Sequence, residues 1–133
     1  MTSPHVPAIR NAVEAWNRGD WAAAMSINGP KPPEIDASGD RGEWSGRACG
    51  KGPVRRMWTA LTEPWESVHY EVNRVIGDGD HVVTCMTGHF AGRDSIAATV
   101  HVYWAWIFEE GWLVRIVARN ELADALEAAG LTE

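Results

Sequence analysis

The sequence predicts an α+β fold in which helices come first and an antiparallel meander of strands follows. Apolar residues recur at three- and four-residue intervals as far as Glu63-Pro64, then at every second residue from Val68 onward. The change of period separates a helical half from a strand-rich half. A length of 133 residues, with no internal repeat and no linker-like stretch, predicts one domain spanning 1–133.

The elements follow in order. Pro7 suits the first turn of a helix, where its missing N–H costs nothing, and Ile9, Ala12, Val13 and Trp16 make one apolar face before Gly19 closes it. Asp20 is a natural N-cap for a short second helix over Trp21 to Ile27, ended by Asn28-Gly29-Pro30. From Gly29 to Gly52 the chain is rich in Gly and Pro and reads as a long loop, with only Glu34-Ile35-Asp36-Ala37 suited to a short strand. Pro53 opens a third helix with Val54, Met57, Trp58 and Leu61 on one face. Val68, Tyr70 and Val72 then alternate with His69, Glu71 and Asn73 up to a turn at Gly77-Asp78-Gly79-Asp80. Further strands run from His81 to Phe90, from Ile96 to Glu109 and from Trp112 to Arg119. A last helix spans Leu122 to Ala129, with Gly130 as its C-cap.

Composition excludes several function classes. Twelve Lys+Arg against eighteen Asp+Glu give a formal charge of -6 without a basic run, which disfavours a phosphate-neutralising grip on nucleic acid. The start MTSPHVPAIR has no basic-then-apolar leader and no stretch of 18 apolar residues occurs, so a soluble cytoplasmic protein without a membrane partner is the expectation. Two cysteines are too few for a disulfide framework. Eight tryptophans stand beside only two tyrosines and two phenylalanines, and what they surround becomes the main question.

The usual chemical motifs fail on spacing. Gly46 to Gly52 superficially suggests a phosphate loop, but it has the wrong glycine spacing and Gly52 where a magnesium-binding hydroxyl should be. His81, Cys85 and His89 share a strand face, yet each four-residue step spans roughly 13 Å, far beyond metal–ligand distances of about 2.0–2.3 Å. No Gly-x-Ser-x-Gly elbow and no nucleophilic cysteine signature is present. The expectation is no metal and no cofactor.

Three segments resemble one family. Ala15-Trp16-Asn17-Arg18-Gly19-Asp20-Trp21 resembles the aromatic-Asn-x-Gly-Asp link between the first two helices of SnoaL-like proteins, within the nuclear-transport-factor-2-like or ketosteroid-isomerase-like superfamily. Trp44-Ser45-Gly46-Arg47 before a helix near Trp58 resembles that family's Gly-Arg segment before its third helix. Glu109 to Ile116, followed by Ala125-Leu126-Glu127-Ala128-Ala129-Gly130-Leu131, resembles its final hairpin and terminal helix. The resemblance covers nearly the whole chain. It implies a cone, in which a strongly curved antiparallel sheet wraps around three N-terminal helices and a short C-terminal helix follows. An apolar pocket would lie on the concave side, and the convex side would often form a homodimer. Members include isomerases, polyketide cyclases, dehydratases, epoxide hydrolases and small-molecule binders, so the pocket residues must decide function.

Aligned on Gly111, the resemblance puts Val100, Val102, Trp104 and Trp106 on the concave face, with Ile116, Ala118 and Asn120 from the last strand. Similar register logic turns Val83, Cys85, Thr87 and His89 inward, and the short strand offers Asp36 and Ser38. The tyrosine and the protonated aspartic acid of a ketosteroid isomerase would fall at Ala12 and Trp104, so that mechanism lacks its oxyanion hole. The Asp-Arg-Asp relay of a limonene-type epoxide hydrolase would fall at Thr87, Cys85 and Ala118, and is absent too.

Two functions remain. One is a cofactor-independent acid/base enzyme (a cyclase, isomerase or dehydratase) acting on a hydrophobic or aromatic metabolite. Asp36 would be its base, with Asn120, His89 or Thr87 orienting the substrate and Glu121 a further pocket carboxylate. Trp16, Trp58, Cys85, Val102, Trp104, Trp106, Ile116 and Ala118 would line its binding site. The other is a non-catalytic ligand-binding or dimeric module with the same pocket. Every candidate has a structural alternative: Asp36 a turn carboxylate, Asn120 the N-cap of the last helix, Glu121 a favourable charge in its first turn, His89 a solvent-exposed strand end. His101 alternates away from the tryptophans, towards a dimer surface. Trp16, Trp58, Trp104 and Trp106 can be core filling or stacking faces for a flat ligand. Trp21, Trp44, Trp65 and Trp112 fall at edges suited to a lid or dimer surface, and the Gly29–Gly52 loop could be that lid.

Overall fold

The computed structural model describes residues 3–30, 34–37, 47–92, 94 and 96–131. The expected Ser38, Trp44 and most of the loop that could form a lid lie outside these residues. Helix α1 (Val6–Asn17) has proline in its first turn, as its sequence requires. Asp20 caps α2 (Trp21–Met25) by accepting the Ala23 N–H at 3.1 Å, and a 3-10 turn (Ser26–Asn28) takes over where the sequence suggested continued α-helix. Two three-residue strands follow, β1 (Glu34–Asp36) and β2 (Arg47–Cys49). Then come α3 (Lys51–Thr62), β3 (Ser67–Ile76), β4 (His81–Ala91), β5 (Ala97–Glu109), β6 (Trp112–Arg119) and α4 (Leu122–Ala129).

The sheet order is β2-β1-β6-β5-β4-β3, curved and not closed. It is mixed rather than purely antiparallel, because β1 runs parallel to β6, with Ile35 opposite Ile116 and Asp36 opposite Val117. The chain can lay β1 beside β6 in this sense only because the long segment between them contains α3 and the meander.

Side-chain alternation gives the sheet two covered faces. The inner face presents Val82, Thr84, Met86, Val102, Trp104, Trp106, Ile116 and Ala118, packed or paired against Ile9, Val13, Trp16 and Ala24 of the first helices. The outer face presents Val83, Ala105 and Val117, covered by Ala125, Leu126 and Ala129 of α4. Side-chain amides fix the helices to the strands. Asn17 Nδ2 donates to the Tyr70 carbonyl and its Oδ1 accepts the Tyr70 N–H, both at 2.8 Å, and Asn28 Nδ2 donates to the Leu113 carbonyl at 2.8 Å. Gly88 is needed on the inner face of β4, since a Cβ there would come within 2.9 Å of Phe90 and 3.0 Å of Tyr70.

The β4 register differs from expectation. Thr84 lies opposite Trp104 and accepts the Trp106 indole N–H at 2.8 Å, so the even-numbered residues face the helices. Cys85, Thr87 and His89 therefore point to the outer face, a one-residue slip that turns every side chain of the strand over. Val100, opposite Gly88, is on the inner face as expected but lies at its rim, where it is exposed. At the last helix the N-cap is Glu121, without a side-chain capping bond, and Asn120 is exposed rather than capping.

Candidate ligand cavity

Trp16 is the centre of an aromatic cluster beneath the helices. Its ring centroid lies 5.7 Å from Trp58, 5.4 Å from Trp104 and 5.7 Å from Trp106, with Trp104 edge-on and the other two nearer to stacked. Tyr70 adds contacts at 5.5 Å to Trp104 and 6.0 Å to Trp58. These separations are within the range where aromatic pairs attract beyond simple area burial. The indoles occupy most of the space inside the cone. What remains is a cavity of about 30 Å³ between α3 and the sheet, lined by Ile35, Ala37, Met57, Trp58, Leu61, Trp104, Ile116 and Ala118. Among the described residues every lining side chain is apolar. Such a cavity can exclude water, because a buried water needs two to four polar partners.

Asp36 is not in this lining. Ile35 and Ala37 face the cavity, so alternation turns Asp36 between them to the outer face, where its side chain is 1% exposed. There it meets three guanidiniums. Arg115 Nη2 donates to Oδ2 at 2.9 Å, Arg47 Nη2 lies 3.2 Å from the same oxygen, and Arg119 Nη1 lies 3.7 Å from Oδ1 while donating to the Asp36 carbonyl at 3.2 Å. Glu34 joins them with Oε1 3.4 Å from Arg115 Nε, an ion-pair contact without hydrogen-bond geometry. Guanidiniums at this range supply the counter-charge that a buried carboxylate needs. Its evident work is to fasten β1 and β2 to β6.

The other expected residues scatter. His89 is on the outer face of β4, 4.0 Å from Glu71 Oε1 and with its ring 6.4 Å from that of His69. Thr87 Oγ1 accepts from Asn73 Nδ2 at 2.7 Å on that face. Cys85 lies beyond Thr87 on the same face, also away from the cavity. Asn120 and Glu121 are exposed at the β6–α4 junction. Asp36, Asn120 and His89 are thus not assembled around one space. Of the expected binding residues, Trp58, Trp104, Ile116 and Ala118 line the cavity, while Trp16, Val102 and Trp106 pack in the same apolar cluster around it. Sequence reasoning missed Ile35, Ala37, Met57 and Leu61 as lining residues. Met57 and Leu61 were legible on the apolar face of α3. Ile35 and Ala37 were legible once Asp36 is recognised as the partner of Arg115 and Arg119, which flank Val117. Among the described residues no group of three or more His, Cys, Asp or Glu side chains is placed to hold a metal ion, and no helix is long and apolar enough to cross a membrane.

Comparison with known proteins agrees with this architecture. TerC, solved in co-crystals with polyporic acid, is 18% identical with a TM-score of 0.76, over 96% of this chain and 99% of its own. A nuclear-transport-factor-2-like protein from Burkholderia pseudomallei is also 18% identical with a TM-score of 0.76, over 95% and 97% of the two chains. A Catenulispora acidiphila protein with a ketosteroid-isomerase-like fold, solved with trimethylamine, is 14% identical with a TM-score of 0.71, over 98% and 96%. No curated protein matches the chain. The sequence profile of the SnoaL-like domain matches residues 9–118, which run from the first buried residue of α1 to the cavity wall on β6, and the chain belongs to the SnoaL-like family within the nuclear-transport-factor-2-like fold.

Proposed function

We propose that this chain binds a small hydrophobic or aromatic molecule between α3 and the inner face of the sheet, with Trp58 and Trp104 as its flat contact surfaces, and performs no proton transfer there. The observation that carries this is the cavity lining, which among the described residues is eight apolar side chains and no polar one. At about 30 Å³ the space is well below the roughly 150 Å³ that accepts benzene in an engineered apolar cavity. Binding therefore requires α3 to move outward, drawing Met57, Trp58 and Leu61 with it. The small molecules carried by the TerC and Catenulispora structures support a ligand-binding reading at the level of the fold.

The acid/base enzyme expected from the resemblance (a cyclase, isomerase or dehydratase) is the weaker reading, because it needs a titratable group at the cavity. Among the described residues none lines it, and Asp36 is held by arginines on the opposite face. A cytoplasmic, cofactor-independent protein remains part of the proposal. So does a homodimer through the part of the outer face left open by α4, where His69, Glu71, His89 and His101 are exposed; a monomeric mass in light scattering would remove the dimer. The binding test is a titration with toluene followed by methyl NMR. The expected result is saturable shifts at Ile35, Leu61 and Ile116 that vanish in Ala118→Phe, which fills the cavity. Shifts that are absent, or that survive Ala118→Phe unchanged, would reject the site.

A further inference from the structure

A second recess lies on the far side of Trp58 from the apolar cavity, between the α1–α2 link and α3. Trp16, Gly19, Trp21, Arg55, Trp58 and Thr59 line it, and its volume is about 160 Å³. Gly19 sits there at φ +75° with nothing within 4 Å of where a Cβ would be, so the link leaves the recess open. The indoles of Trp16 and Trp58 lie 5.7 Å apart at 29°, and Trp21 and Trp58 are half-buried, which leaves aromatic surface facing the space. Unlike the cavity, this recess has a charged wall. Arg55 is the one charged lining residue among the described residues. Its guanidinium carbon stands 5.9 Å from the Trp21 ring, and among the described residues no carboxylate pairs with it.

These features select a ligand chemistry. A guanidinium held near an indole by cation–π attraction can still offer its N–H groups to a carboxylate in bidentate fashion. Asp20, in the α1–α2 link, is itself engaged, since its Oδ1 accepts the Ala23 N–H and its Oδ2 lies 3.8 Å from Arg18. A volume of about 160 Å³ has room for one aromatic ring beside the indoles, since roughly 150 Å³ takes up benzene. The Thr59 hydroxyl can donate to or accept from a ring substituent. The molecule's charge of -6 opposes anions at long range, so the recognition must come from contact with Arg55.

We infer that this recess is a binding site for a monocyclic aromatic carboxylate, its ring against Trp16 and Trp58 and its carboxylate on Arg55. The site does not depend on the apolar cavity, and its test reads a different set of residues. The test is a titration of the whole chain with benzoate and, separately, with neutral benzamide, followed by NMR of the indole N–H signals. Benzoate is expected to shift Trp16, Trp21 and Trp58 saturably, and benzamide to bind about tenfold more weakly. Arg55→Gln, a change at an exposed position, is expected to reduce benzoate to the affinity of benzamide, and Trp21→Leu to weaken both. No saturable shift by benzoate would overturn the inference. Equal affinity for the two probes, or shifts at Trp58 and Trp104 that leave Trp21 unmoved, would overturn it as well.

Discussion

At the scale of single residues, Asp36 shows how one turn of a strand decides between a catalytic and a structural carboxylate. A base at the cavity needs proton affinity near working pH, whereas Asp36 sits among Arg47, Arg115 and Arg119 with its side chain 1% exposed. Removing one member of a buried ion-pair set is costly because it leaves the others desolvated without a counter-charge. Asp36→Asn is therefore expected to lower the free energy of unfolding by about 3 kcal/mol, read by urea denaturation. The exposed side of Arg47, 66% accessible, moderates the effect through solvent screening. A loss of only a few tenths of a kcal/mol would mean that water already screens the cluster. The sequence contained the clue, since Asp36 lies between two apolar residues and the Arg115-x-x-x-Arg119 pair flanks Val117. It was not decisive, because nothing in one chain's sequence says that β1 will pair in parallel with β6 and bring these charges together.

At the scale of elements, legibility follows the strength of local signals. The limits of β6 and α4 were readable because Glu110-Gly111, at φ 53° and 85°, and Gly130, at φ 71°, supply the left-handed conformations that turn and cap require. Strand β2 reads as loop because three residues, Arg47 to Cys49, contain too little alternation to signal a strand, and pairing with β1 supplies what their sequence does not. The β4 register is illegible for a different reason. Both faces of this strand are covered, by the helices on one side and α4 on the other, so apolar residues fall on both parities and alternation loses its meaning. Helix α3 is the weakly held element. Its fully buried residues are Val54 and Leu61 only, while Met57 and Trp58 are partly exposed above the cavity. Local opening is cheapest where little apolar surface is buried. The amides of Thr59 to Thr62 are thus expected to exchange with deuterium much faster than those of Val82 to Met86 in β4, in native-state exchange followed by mass spectrometry. Equal protection would mean that α3 opens only with global unfolding, and the ligand would then lack an entry by that route.

At the scale of the whole molecule, the sheet is a partition between two apolar layers that share no side chain. Val82, Trp104 and Ile116 belong to the inner layer, and their neighbours Val83, Ala105 and Val117 to the outer one. The inner layer carries the tryptophans and the cavity, so its composition can change to suit a ligand while the outer layer preserves the strand order. Energetic independence is the testable consequence. Ile9, fully buried against the inner face, and Leu126, 7% exposed against the outer face, lie on opposite sides of the sheet in separate clusters. Each truncation to alanine is expected to cost about 2–4 kcal/mol, the usual range for losing a buried aliphatic side chain. If the layers are independent, the double variant loses the sum of the two within about 0.5 kcal/mol. Near-additivity in urea unfolding, with an unchanged dependence on denaturant, would establish the sheet as a rigid divider. A coupling above about 1 kcal/mol would show that the sheet bends as a unit, so that packing of α4 reaches the cavity through its curvature.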